Sequence, residues 1–157
     1  MPLTAFPHSI RWIAFDAVGT LIYPDPPVAA VYAAAARRFG SRLTEEDIRR
    51  RFAEAFSQSE AEVLSPVDWR RTDVLRTSED RERRRWAEIV SRVIDDANDP
   101  AACFSELFNH FARTDSWRCY PDVAETLDRL AERGYRLAIV SNFDDRLNAI
   151  CDSSSKC

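Results

Sequence analysis

Two short apolar runs, each ending abruptly in polar residues, bracket a long stretch of helical periodicity. The first is residues 10–15, where Ile10, Trp12, Ile13, Ala14 and Phe15 are almost continuous, as a strand covered on both faces reads. Asp16 breaks the run, Gly19 permits a turn, and Thr20 brings a hydroxyl. The second is residues 135–140, YRLAIV, which passes into Ser141, Asn142, Asp144 and Asp145. Between the two, YPDPP predicts a linker, and Val28, Val31, Tyr32, Ala35 and Phe39 recur at helical spacing until Gly40 supplies a stop. Thr44 reads as the N-cap of a second helix with Ile48, Phe52, Ala55 and Phe56 on its apolar face. Residues 65–77 read as loop because Pro66 interrupts them. A third helix carries Trp86, Ile89, Val90, Val93 and Ile94, and a fourth opens at Asp99 and Pro100 with Cys103, Phe104, Leu107, Phe108 and Phe111 inward, as core rather than binding box. After Pro121 and Asp122, Val123, Leu127 and Leu130 mark a fifth helix that Gly134 closes, and a last one starts near Asp144.

If the two strands lie parallel and adjacent, their polar ends meet at one edge of a sheet, the edge where open α/β sheets bind ligands. The segment between them is too long for a simple crossover. It reads as an inserted helical cap over residues 25–117, with a core built from residues 1–24 and 118–157.

Composition narrows this picture without changing it. A chain of 157 residues with 45% hydrophobic and 31% charged residues is globular in character, and no apolar run approaches the ~18 to 20 residues of a bilayer helix. The N-terminus lacks a basic start, apolar core and cleavage site, so a cytoplasmic location is expected. A net charge of -4 points to no phosphate-backbone partner. Arg81, Arg83, Arg84 and Arg85 alternate with acidic residues and read as a solvated helix face, not a nucleic-acid patch. Cys103, Cys119, Cys151 and Cys157 show no metal-ligand spacing and read as unpaired thiols. His110 and His8 have no partner visible in sequence. Only Lys156, in the closing stretch CDSSSKC, is lysine among 22 basic residues, which sets that stretch apart from the rest.

The chemistry centres on Asp16. A carboxylate at a strand end, followed by a glycine turn and a hydroxyl, suits nucleophilic catalysis through a covalent intermediate, with turn N–H groups and the Thr20 and Ser141 hydroxyls near the charge that develops. The bland alternative is an Asp that caps a turn. FDAVGTL, followed after a helical insertion by LAIVSNFD, resembles the first two motifs of the haloacid dehalogenase-like (HAD) hydrolases. The resemblance implies an α/β fold, a partial parallel-sheet, Rossmann-like core with an inserted α-helical cap. It implies Asp16 as nucleophile, Thr20 supporting the loop, Ser141 bonding the transferred group, and Asn142 positioning loop or substrate. For the phosphatase branch it implies Mg2+ on the Asp16 carboxylate and the Val18 carbonyl, and a small phosphoester as substrate.

Two departures from the family's pattern shape the alternatives. The phosphatases usually carry an acidic proton donor where this chain has Val18, which is closer to the metal-free 2-haloacid dehalogenases; Arg37 and Arg38 are then candidates for a halide-binding arginine. The chain also stops sixteen residues after Ser141, before the third and fourth motifs, so it reads as C-terminally truncated. The expectations are therefore a HAD-type phosphatase, a 2-haloacid dehalogenase, or a silent remnant serving as a binding module. An exposed apolar sheet edge, prone to self-association, follows from the missing strands.

Overall fold

The computed structural model describes residues 10–64 and 78–152. The loop expected at residues 65–77, His8, and the closing stretch with Lys156 and Cys157 lie outside the described residues.

Strand β1 (Trp12–Phe15) and strand β4 (Arg136–Ile139) pair in parallel, with Trp12 opposite Arg136 and Phe15 opposite Ile139. The ladder continues past both ends, since Arg136 N–H donates to the Arg11 carbonyl at 2.8 Å and Val140 N–H to the Phe15 carbonyl at 2.9 Å. Both strands therefore stop together, β1 one residue before Asp16 and β4 two residues before Ser141. The double burial expected of these strands is not seen: Trp12 is 59% and Val140 66% exposed. Among the described residues this sheet has two strands, and a parallel pair is buried on both faces only when further strands and helices flank it.

A second pair was not legible in the sequence. β2 (Ile22–Pro24) and β3 (Trp117–Cys119) run antiparallel, with Ile22 opposite Cys119 and Pro24 opposite Trp117. Three residues are too few for a period-two pattern, and the prolines argued for a linker; Pro24 is tolerated because a strand end can do without its N–H. Asp25 N–H bonds the Ser116 carbonyl at 2.9 Å and Tyr120 N–H the Leu21 carbonyl at 3.1 Å. The chain entering the helical segment is thus tied to the chain leaving it.

The helical segment contains α1 (Val28–Arg38), α2 (Glu45–Leu64), α3 (Glu79–Val93) and α4 (Pro100–His110). The starts of α2 and α4 follow the expected caps. Thr44 Oγ1 accepts from the Asp47 N–H at 3.1 Å while the Asp47 carboxylate accepts from the Thr44 N–H at 3.2 Å, a reciprocal cap. Asp99 accepts from the Ala102 N–H at 2.9 Å, with Pro100 in the first turn. The four apolar faces close on one cluster that includes Tyr32, Ile48, Ile89, Ile94 and Leu107, all essentially fully buried. A second, smaller cluster joins Leu21, Ile22, Trp117, Val123 and Ile150, bringing in α5 (Val123–Glu132) and α6 (Arg146–Asp152). Phe111 packs against both clusters.

Two expectations need correction. The arginine run on α3 is not uniformly solvated: Arg83 lies over the Phe104 and Phe108 rings at 5.2 and 4.5 Å, and Arg85 is turned inward toward Glu82. Consecutive residues sweep about 100° each around a helix, so a run of this length must put one side chain on the inner face. Of the cysteines, Cys103 and Cys151 are free, while Cys119 is disulfide-bonded. Among the described residues no helix is long and apolar enough to cross a membrane.

Candidate functional site

The turn after β1 is held from beneath. The Ala17 carbonyl accepts from the N–H groups of Thr20, Leu21 and Ile22 at 3.3, 2.8 and 3.0 Å, and Gly19 N–H returns to the Ile22 carbonyl at 2.8 Å. Gly19 makes this possible with φ +85°, a region other residues enter only with strain. Ala17 is buried at 1% exposure, so the turn is pinned by its methyl group while Asp16, Val18 and Thr20 stay exposed. On the neighbouring strand end, Ser141 Oγ accepts from the Phe143 N–H at 3.3 Å, a serine turn that shapes residues 141–143.

Asp16, Val18 and Asn142 line one cavity of about 470 Å³ between the strand ends and helices α1 to α3. Thr20 and Ser141 are not among its lining residues; each sits in one of the two turns that border it. Parallel pairing thus brings all four predicted residues to one edge, and the cavity opens onto two of them.

The far walls are largely aromatic. From α3, Trp86 meets Phe56 at 6.1 Å, Phe56 stacks on Phe52 at 5.9 Å, and Phe52 meets the edge of Tyr32 at 5.3 Å. Tyr32 then meets Phe111 and Phe111 meets Trp117, both at 6.1 Å, and Trp117 meets Phe143 at 5.5 Å. Every ring in this unbroken series lines the cavity. The series ends at the residue next to Asn142. Burial pushes the Tyr32 phenol well above its ordinary range, against the opposing pull of the Arg146 charge, so the phenol stays neutral at physiological pH.

Two charged pairs interrupt the rings. Arg146 Nε and Nη2 donate to the two Asp144 carboxylate oxygens, each at 2.7 Å, with side-chain exposures of 12% and 1%. The same guanidinium donates to the Phe108 carbonyl at 3.2 Å and stacks on the Phe108 ring at 3.8 Å, which joins α6 to α4. On α3, Arg85 approaches Glu82 at 3.5 Å and donates to Ser59 Oγ at 2.7 Å. Arg146, Arg85 and Glu82 all line the cavity.

None of these was singled out from sequence as a site residue. Arg146 was visible only as one of many arginines, and the pairing Asp144-x-Arg146 gave no sign of burial. Arg37 and Arg38 do not line this cavity. Arg38 instead pairs with Glu106 and borders a separate cavity with His110. His110 stands with one ring nitrogen lacking a hydrogen-bond partner among the described residues, and burial holds its pKa below the usual value.

For a divalent metal, the donor chemistry offers the Asp16 carboxylate and the Val18 carbonyl. That carbonyl accepts none of the hydrogen bonds that hold the turn, which use the Ala17 and Ile22 carbonyls. Two hard oxygens suit a Mg2+ ion that keeps its remaining positions for water and substrate phosphate. Among the described residues there is no cluster of three or more His, Cys, Asp or Glu side chains able to enclose a metal by themselves.

Comparison with known proteins agrees with this architecture. An uncharacterized hydrolase of Schizosaccharomyces pombe is 24% identical over 154 residues, covering 92% of this chain and 60% of its own. The human haloacid dehalogenase-like hydrolase domain-containing protein 3 is 27% identical over 146 residues, covering 90% of this chain and 55% of its own. The chain therefore spans little more than half the length of these relatives. The crystal structure of a dehalogenase superposes with a TM-score of 0.59 at 24% identity, over 95% of this chain and 59% of that one, a likeness of fold. The family model for haloacid dehalogenase-like hydrolases matches residues 10–152, and the chain belongs to that family.

Proposed function

We propose that the chain carries the nucleophile-bearing part of a phosphatase that acts on a small phosphoester. The observation that supports this most is the β1–β4 register, which sets the Asp16 carboxylate and Asn142 at one cavity. In this reading an Asp16 oxygen attacks phosphorus, the bond to the leaving oxygen breaks, and an aspartyl phosphate forms; water then releases phosphate and returns a proton to solvent. The Asn142 amide orients the transferred group. Ser141 and Thr20 hold the shapes of the two turns and can offer hydroxyls to its oxygens. Mg2+, held by Asp16 and the Val18 carbonyl, would supply charge neutralisation at the phosphoryl group. Residues 25–117 act as a cap over a core formed by residues 1–24 and 118–157.

A second reading is 2-haloacid hydrolysis, supported by Val18 and by the two arginines, Arg85 and Arg146, that line the cavity. The experiment that separates the two is turnover by the folded chain. The phosphatase reading expects Mg2+-dependent hydrolysis of p-nitrophenyl phosphate that falls about 10⁴-fold in Asp16→Asn. Metal-free chloride release from 2-chloropropionate would replace it with the second reading, and no turnover of either would leave a binding module.

A further inference from the structure

The series of rings begins beside Asn142 and continues without a gap to Trp86, so it follows the cavity away from the nucleophile. Three of the four charged groups along this wall, Glu82, Arg85 and Arg146, are engaged in ion pairs. Asp144 holds Arg146, and Arg85 is shared between Glu82 and Ser59. A polyol or sugar in this space would leave hydroxyl groups facing ring carbons, with the desolvation penalty that unpaired buried polar groups carry. A flat apolar group would meet ring faces and edges at the spacing aromatic pairs favour. The volume of about 470 Å³ is ample for a small bicyclic group with a phosphoryl at one end.

A second observation bears on the leaving group. Among the described residues, the strand-end residues that line the cavity with Asp16 are Val18, Asn142 and Phe143, and none of these has an acidic proton to give. An alkoxide departing beside them would need a proton donor. An aryl oxide would not, because phenols ionise near pH ~10 and leave readily as anions.

We infer that the cavity selects aryl phosphoesters, with the aromatic leaving group lying along the ring series and the phosphoryl group at Asp16 and Asn142. The inference rests on the phosphatase reading for its chemistry but not for its recognition. During turnover the bond from Asp16 oxygen to phosphorus forms, the aryl-oxygen-to-phosphorus bond breaks, and the aryl oxide keeps the electron pair. Water then cleaves the aspartyl phosphate.

The test uses the unmodified chain and two inert probes, phenylphosphonate and methylphosphonate, with Kd measured by isothermal titration calorimetry in Mg2+. Phenylphosphonate is expected to bind at least ten times more tightly, and the ratio to fall severalfold in Phe56→Leu, which keeps the position apolar but removes a ring. Turnover is followed in parallel on 1-naphthyl phosphate and glycerol 3-phosphate. Preferential aryl binding without turnover would remove the phosphatase reading and leave the selectivity standing. Equal binding of the two probes, no binding of either, or turnover of glycerol 3-phosphate as efficient as that of 1-naphthyl phosphate would overturn the inference.

Discussion

A guanidinium 12% exposed, stacked on one ring and held by both oxygens of a carboxylate 1% exposed has little freedom to move. Arg146 therefore behaves as part of the cavity wall, and its position depends on Asp144. Removing one charge of such a pair leaves the other buried and unpaired, which costs about 3 to 5 kcal/mol. Asp144→Asn is accordingly expected to lower stability by about 3 kcal/mol, read from the urea midpoint. The double replacement Asp144→Leu with Arg146→Met should be less destabilised than Asp144→Asn alone, and a double variant that is the weaker of the two would contradict the pairing. Asp16 stands in contrast. It is exposed at the mouth of the cavity, so Asp16→Asn should leave the unfolding midpoint within about 0.5 kcal/mol of the parent while removing turnover.

At the scale of an element, α4 illustrates how a helix end can couple to pH. His110 closes α4 edge-on to Phe111 at 5.0 Å, and burial, with Arg113 and Arg38 nearby, holds its pKa below the ordinary 6.5, although Asp115 pulls the other way. The unfolded chain thus binds this proton more readily than the folded one. Its contribution is complete above about 6.5 and is lost as pH falls below it. The thermal midpoint should be lower at pH 5 than at pH 7.5, and His110→Phe should flatten that slope. Asp47, Asp96 and Asp115 do not blur the result, because hydrogen bonds hold their pKa values below 3.8. An unchanged slope in the variant would assign the effect to other groups.

On the scale of the whole molecule, the open face of the β1–β4 sheet is the outstanding physical feature. Trp12 and Val140, which the register puts on this face, are 59% and 66% exposed, and Ile139 on the opposite face is 46% exposed. Exposed apolar strands next to unpaired sheet edges favour association with another chain. We expect concentration-dependent self-association of this chain in light scattering, shifted toward monomer by Trp12→Glu with Val140→Lys. A parent chain that stays monomeric at high concentration would rule this out.

Much of this molecule can be read from its residues in order. Periodicity locates α1 to α5, and a Thr, Ser or Asp cap marks the start of α2, α3 and α4, because both are local facts, as Thr44 and Asp99 demonstrate. The two apolar runs ending at Asp16 and Ser141 likewise announce parallel strands and a shared edge. The short pair Ile22–Pro24 with Trp117–Cys119 escaped notice because its register is set by partners far away in sequence rather than by any pattern within three residues. The same holds for Arg85, Arg146 and the ring series. Which arginine turns inward, and which of the core rings also line a cavity, depends on how four helices pack beside the strand ends. Sequence alone determined the long helices and the two parallel strands, and it singled out Asp16 as the candidate nucleophile. Only the tertiary structure decided what surrounds it, because burial, pairing and cavity shape arise from contacts between residues distant along the chain.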